Sequence, residues 1–301
     1  MKGRAMRLLH KLLGVKTAPP SVSPDSDEAE RSGEPAVPAP PAKAPRIKVG
    51  WATHVGEVRR HNEDTALVIT AAHDGDKVLP PFGLLILADG MGGHQAGEIA
   101  SSLAARTVAH HILSKLYLPL LVKQEYGTEQ PALNEMLVEA VQIANTKVAE
   151  EVPGGGTTLT CALLLGSRAY IAHVGDSRAY LVTDDGLDQI THDHSLVDRL
   201  VELGQLTRGE AATHPQKNIL YRAVGQNGVL EVDTHVRTIP QKARLLLCSD
   251  GLWGMMDEKK IVEIVTSAPS LQSACENLVV GANQAGGPDN ITVILAEPSE
   301  D

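Results

Sequence analysis

The chain has 301 residues, 43% of them hydrophobic and only 3% aromatic, and a formal net charge of −10. This is enough apolar material for a sizeable core of Val, Leu, Ile and Ala, in one large domain or two small ones. The acidic balance excludes nucleic acid as the main partner, and with it a metal-dependent nuclease, because backbone phosphates demand clustered Lys and Arg. Cys161, Cys248 and Cys275 are odd in number, far apart and free of C-x-x-C spacing, so they read as reduced core residues of a cytoplasmic protein. No apolar run approaches the ~20 residues that span a bilayer, and no signal peptide is expected.

In chain order, residues 1–16 form a basic segment. Leu8, Leu9, Leu12 and Leu13 fall on one helical face and Arg4, Arg7 and Lys11 on the other. Such a helix suits peripheral contact with an anionic membrane or a partner, and equally an ordinary extension. Residues 17–46, rich in Pro, Ala, Ser and Glu, read as a disordered linker. From 47 to 301 the pattern is that of a folded domain. Strands are predicted over 47–55, 65–70 and 83–88, then helices over 95–117 and 131–151. Strands follow over 158–165, 168–174, 178–183 and 187–191, with short helices within 195–212. Strands over 229–238 and 243–248, helices over 257–266 and 271–284, and a strand over 290–296 complete the chain. Blocks of hairpin-like strands and blocks of helices point to an α+β fold with antiparallel sheets.

Aspartates recur where apolar strands end. Leu84-Leu85-Ile86-Leu87-Ala88 runs into Asp89-Gly90, Leu245-Leu246-Leu247-Cys248-Ser249 into Asp250-Gly251, and Ile171-Ala172-His173-Val174-Gly175 into Asp176. Asp289 precedes Asn290-Ile291-Thr292-Val293, and Asp64 precedes a strand-like run. One Asp-Gly is an ordinary turn pair. Five acids brought together by sheets repel strongly unless a cation neutralises them. Oxygen donors without His or Cys favour Mg²⁺ or Mn²⁺ over zinc, and a pair of such ions suits phosphoryl chemistry. Spacing alone reaches a binuclear metal hydrolase.

Several motifs carry a resemblance that goes further. Arg59-Arg60-His61-Asn62-Glu63-Asp64, Ala88-Asp89-Gly90-Met91-Gly92-Gly93-His94, Gly156-Thr157-Thr158 and Val174-Gly175-Asp176-Ser177-Arg178 occur in order. Asp193-His194-Ser195, Ser249-Asp250-Gly251-Leu252-Trp253 and Asp289-Asn290 follow them. The set resembles the successive motifs of the PP2C (PPM) protein phosphatases, bacterial type, over most of residues 48–297. The resemblance implies two antiparallel β-sheets packed face to face, helices on both outer faces and a metal site at one end. It implies hydrolysis of phosphoserine and phosphothreonine esters by an activated water, with no phospho-enzyme.

It also implies roles. Asp89 bridges two Mn²⁺ or Mg²⁺ ions, the Gly90 carbonyl completes one shell, and Asp250 and Asp289 hold the other ion. Glu63 and Asp64 act largely through metal-bound waters, Arg59 grips the phosphate, and Asp176 with Asp250 holds a weaker third metal. Arg178 is expected to support the Asp176 turn, and His194 and Ser195 to be turn residues near the site. Met91 stands where animal relatives place a histidine thought to protonate the leaving alcohol. His94 reads as a cap of the following helix, which leaves a water on the metal as a candidate acid. Residues 195–225 match a flap beside the active site. A monomer acting on phosphorylated proteins, a Ser/Thr kinase or its substrates among them, is expected. The alternatives are a phosphohydrolase for small esters and a non-catalytic phospho-sensor.

Overall fold

Apolar runs such as Leu84-Leu85-Ile86-Leu87 show no alternation because both of their faces are covered. In β3 (Phe82–Met91), Leu84 and Ile86 pack towards helices, whereas Leu85 and Leu87 meet the opposite sheet. In β10 (Arg244–Cys248), Leu246 and Cys248 face helices and Leu245 and Leu247 face inward. A strand buried on both faces gains burial from every residue, at roughly 25 cal/mol per Å² of apolar surface. The computed structural model describes residues 46–73, 79–92, 95–123 and 132–298. The segment 1–16, the linker 17–46 apart from Arg46, and His94 lie outside the described residues.

One sheet has the order β1-β11-β10-β7-β8, from β1 (Ile47–His54), β11 (Ile291–Pro298), β10, β7 (Arg178–Thr183) and β8 (Gly186–Gln189). The other has the order β2-β3-β5-β6-β9, from β2 (Asp64–Ala71), β3, β5 (Leu159–Leu165), β6 (Arg168–Val174) and β9 (Asp233–Thr238), with the two-residue β4 (Gly156–Thr157) also pairing β3. Every named pairing is antiparallel. Leu85, Ala162, Leu164 and Ile171 of one sheet share a core with Ala179, Leu245, Leu247 and Ile294 of the other, so the sheets pack face to face.

Helices cover the outer faces. α1 (Gln95–Ile112), a wide turn (Leu113–Tyr117) and α2 (Leu118–Lys123) pack with α3 (Leu133–Glu151) over the β3 sheet. α7 (Glu258–Ser267) and α8 (Leu271–Gln284) cover the β10 sheet. The short helices α4 (Leu196–Glu202) and α5 (Arg208–Ala212) lie within the predicted flap, and α6 (Asp250–Trp253) follows β10. No helix among the described residues is long and apolar enough to cross a membrane.

Three elements depart from expectation. The helix predicted over 95–117 widens into a π-turn at Leu113–Tyr117 and continues to Lys123. Pro119 explains the widening, since its ring would meet the Lys115 carbonyl in a regular α-helix. The strand expected over 229–238 begins only at Asp233. Before it, Asn145 holds a turn: its Oδ1 accepts from the Gly225 and Gln226 amides, and its Nδ2 donates to the Gln226 and Gly228 carbonyls. Asp250-Gly251, where no helix was expected, opens the one-turn helix α6.

Candidate metal centre

The acids converge because strand ends converge. Asp64 starts β2 and stands directly opposite Asp89 near the end of β3. Asp250 follows β10, and Asp289 lies two residues before β11, which pairs with β10. Asp176 sits in the link between β6 and β7, where the chain crosses from one sheet to the other. A cavity of about 240 Å³ is lined by Arg59, Glu63, Asp89, Gly90, Asp176, Asp250 and Asp289, together with Met91, Gly92, Thr158, Asn218 and Leu220. Asp64 alone of the predicted residues is not in its wall, and Ser249 Oγ donates to Asp64 Oδ2 at 2.9 Å.

The electrostatics are those of a site short of positive charge. Asp64, Asp89 and Asp250 keep partial contact with solvent, yet protein surrounds them so closely that burial is the largest push on their titration. Burial, with repulsion from Asp289 added, lifts Asp64 to about 6 despite hydrogen bonds from Thr292 and Ser249. Burial and then repulsion from Asp193 lift Asp176 to about 7. Asp89 and Asp250 are pushed well above the carboxylate range by burial first, then by the surrounding acids. Like charges facing each other across a ladder destabilise it, and burial worsens the cost.

Asp64 Oδ1 and Asp250 Oδ1 are buried with no hydrogen-bond partner. Orphaned carboxylate oxygens inside an all-oxygen donor set fit a hard divalent cation. Among the described residues, no three acid, histidine or cysteine side chains stand in a closed ligand set. The fit therefore rests on the chemistry of the donors.

Comparison with known proteins agrees with the fold and the motifs. The family model for protein phosphatase 2C matches residues 62–280. The chain belongs to the protein phosphatase 2C family. The PP2C chain is 41% identical over 246 residues to the serine/threonine phosphatase Stp of Listeria innocua, covering 81% of this chain and 93% of that one. It is similar to the solved Streptococcus agalactiae serine/threonine phosphatase, with a TM-score of 0.70 and 33% identity over 83% of this chain and 98% of that one. It also resembles the catalytic domain of the phosphatase PstP solved with two manganese ions, with a TM-score of 0.65 and 33% identity over 84% and 99% of the two chains.

Around the PP2C cavity, supporting residues hold the acids by their backbones. The Asp89 amide donates to Thr158 Oγ1, while Thr157 Oγ1 and the Thr158 amide donate to the Asp89 carbonyl, each at 2.9 Å. The Trp253 indole donates to the Asp176 carbonyl at 3.0 Å, and the Arg178 guanidinium stacks 3.6 Å over that ring. Arg178 also makes a bidentate bond to Asp193, so it supports the Asp176 link through Trp253. His194 is buried, not a plain turn residue: its Nδ1 accepts from the Gly175 amide, and its Nε2 meets Asp233 Oδ2. Ser195 caps α4.

The Gly90 position admits no side chain, because a Cβ would strike the Gly97 carbonyl of α1. Arg59 Nη2 donates to Asp289 Oδ2 at 2.7 Å at the rim. Sequence reasoning gave no role to Thr158, Trp253, Asn218, Leu220 or Asn290, although three of these lie inside the quoted motifs. Their part depends on contacts across the fold, which local spacing does not encode.

Proposed function

We propose that this PP2C chain is a protein serine/threonine phosphatase that hydrolyses phosphoserine and phosphothreonine esters, using two Mn²⁺ or Mg²⁺ ions. The observation that carries the reading is the cavity shared by Asp89, Asp176, Asp250 and Asp289, with Asp64 directly opposite Asp89 on the neighbouring strand, a set that calls for bound cations. When bound, such ions lower the pKa of a shared water and screen the phosphate charge. Asp89, the Gly90 carbonyl, Asp250 and Asp289 are the residues that would hold them, and Asp176 with Asp250 a weaker third. Glu63 and Asp64 would orient metal-bound waters by accepting hydrogen bonds from them, Asp64 being itself aimed by Ser249.

Arg59 offers a planar fork to the phosphate oxygens, a shape that lysine lacks. Its contact with Asp289 keeps the fork beside the acids before substrate arrives. Asn218 and Leu220, in the flap, form part of the wall and close the substrate side. Met91 lines the cavity and cannot carry a proton, so the leaving Ser or Thr oxygen is protonated by another donor. Substrates are phosphorylated proteins, a Ser/Thr kinase or its targets among them.

The test is turnover of a phosphothreonine peptide with Mn²⁺, with EDTA, and with Asp89→Asn. Loss of turnover on chelation and a drop of roughly a hundredfold or more for the variant support the reading. A wild type that binds the peptide but turns over neither it nor a small phosphate ester, with either metal, overturns it in favour of a phospho-sensor.

A further inference from the structure

The loop between β1 and β2 carries Arg59 and is tied to β1 at its two ends, where the Gly56 amide donates to His54 Nδ1 and Asn62 Nδ2 donates to Thr53 Oγ1. Residues 55–63 have no regular secondary structure, Glu57 to His61 are exposed, and Val58 is 69% exposed. Ser101 Oγ and the Gly90 amide hold its Glu63 carbonyl, and Asn290, only 4% exposed and immediately after Asp289, grips it at three further points. Asn290 Oδ1 accepts from the Glu63 amide at 2.7 Å, and Nδ2 donates to the Val55 and His61 carbonyls, each at 2.9 Å. Both amide hydrogens and the oxygen are thus spent on one loop, gripping it on either side of Arg59. The Asn290 amide in turn donates to Asp289 Oδ1 at 2.8 Å. Two further contacts join the same partners: the Glu57 amide donates to the Gly287 carbonyl at 2.7 Å, and Gly56, at φ +84°, lies where any Cβ would strike the Asp289 carbonyl.

We propose that Asn290 is a positioning residue that fixes the phosphate-gripping Arg59 in register with Asp289. The inference rests on the reading of Arg59 given above. Only an amide fits the position. Aspartate has the same shape but would set an oxygen against two carbonyls, replacing two hydrogen bonds with repulsion. Glutamine would push the loop outward by one methylene. Because Arg59 meets the phosphate both in bound substrate and in released product, displacing its loop weakens affinity for inorganic phosphate as well as for the phosphopeptide.

The experiment measures product inhibition by inorganic phosphate, together with KM and kcat for a phosphothreonine peptide, in the Mn²⁺-loaded full chain. Asn290→Asp, Arg59→Ala and the double variant are compared. Asn290→Asp is expected to raise the inhibition constant and KM about tenfold, more than it lowers kcat, and to add nothing in the Arg59→Ala background. Gly56→Ala, which pushes the same loop off the Asp289 carbonyl, is expected to reproduce the effect even where Asn290→Asp fails to fold. An Arg59→Ala effect on phosphate inhibition that neither Asn290→Asp nor Gly56→Ala shares overturns this inference alone. So do Asn290 and Arg59 effects that multiply. Unchanged phosphate inhibition in Arg59→Ala overturns the reading of Arg59 itself, and the inference with it.

Discussion

Two groups of enclosed carboxylates lie close together in this molecule and are handled in opposite ways. Asp193, 5% exposed at its side chain, receives a bidentate bond from Arg178, and Asp233 receives Arg222 and His194. Burial pushes the Asp233 carboxyl up, but the hydrogen bond from His194 and the Arg222 guanidinium bring it below its ordinary value. At the cavity, Asp89, Asp176 and Asp250 in its wall and Asp64 opposite Asp89 all rise. The first group is neutralised by the chain's own cations and serves the frame. The second is left open, and the fold tolerates that cost where a metal can repay it.

The contrast can be broken from either side. Asp89→Asn abolishes turnover and at the same time stabilises the metal-free protein by ~1–2 kcal/mol, because it removes one of two facing carboxylates. Thermal melts with and without Mn²⁺ check this, and a metal-free variant less stable than wild type would contradict it. Arg178→Ala does the reverse, leaving Asp193 enclosed without its cation. A loss of ~3–5 kcal/mol in denaturant unfolding is expected with or without metal.

Near neutral pH, where little of it is yet lost, a further effect separates the frame by pH. Burial first, then the neighbouring His194, lowers His173 to about 3. Its folded pKa lies below its unfolded value near 6.5, so the unfolded chain binds the extra proton. The contribution is fully present above pH 6.5 and is lost as pH falls towards 3, by about 1.4 kcal/mol per unit within that window. His173→Gln should flatten that part of the stability–pH curve, and an unchanged slope would assign it elsewhere. The smallest expected effect lies far from both groups. Asp257 caps α7 by accepting from the Lys260 amide at 2.8 Å, and Asp257→Ala should cost about 1 kcal/mol with turnover unaltered.

Much of the frame was legible locally. Unbroken apolar runs marked strands covered on both faces, and Asp-Gly pairs at their ends marked where the chain turns. Residue order alone set the strand ends 84–89 and 244–250 apart from ordinary turns, because the acids recurred. The strand expected from 229 failed because Asn145, some 80 positions away, captures the 225–228 backbone. Asn290 stood in a quoted motif but without a role, because its three bonds reach back over 200 positions.

By itself the sequence determined most of the strands and helices, the recurrence of aspartates at strand ends, and the family motifs in their order. These depend on side-chain chemistry and short-range periodicity, which neighbouring residues carry. Only the tertiary structure decided which aspartates acquire an internal cation and which are left without one. That outcome depends on strand register and on contacts between residues distant in the chain: Asp64 falls opposite Asp89, while Asp193 falls within reach of Arg178. A shift of one residue in the β2–β3 pairing would turn Asp64 to the other face of the sheet and away from Asp89.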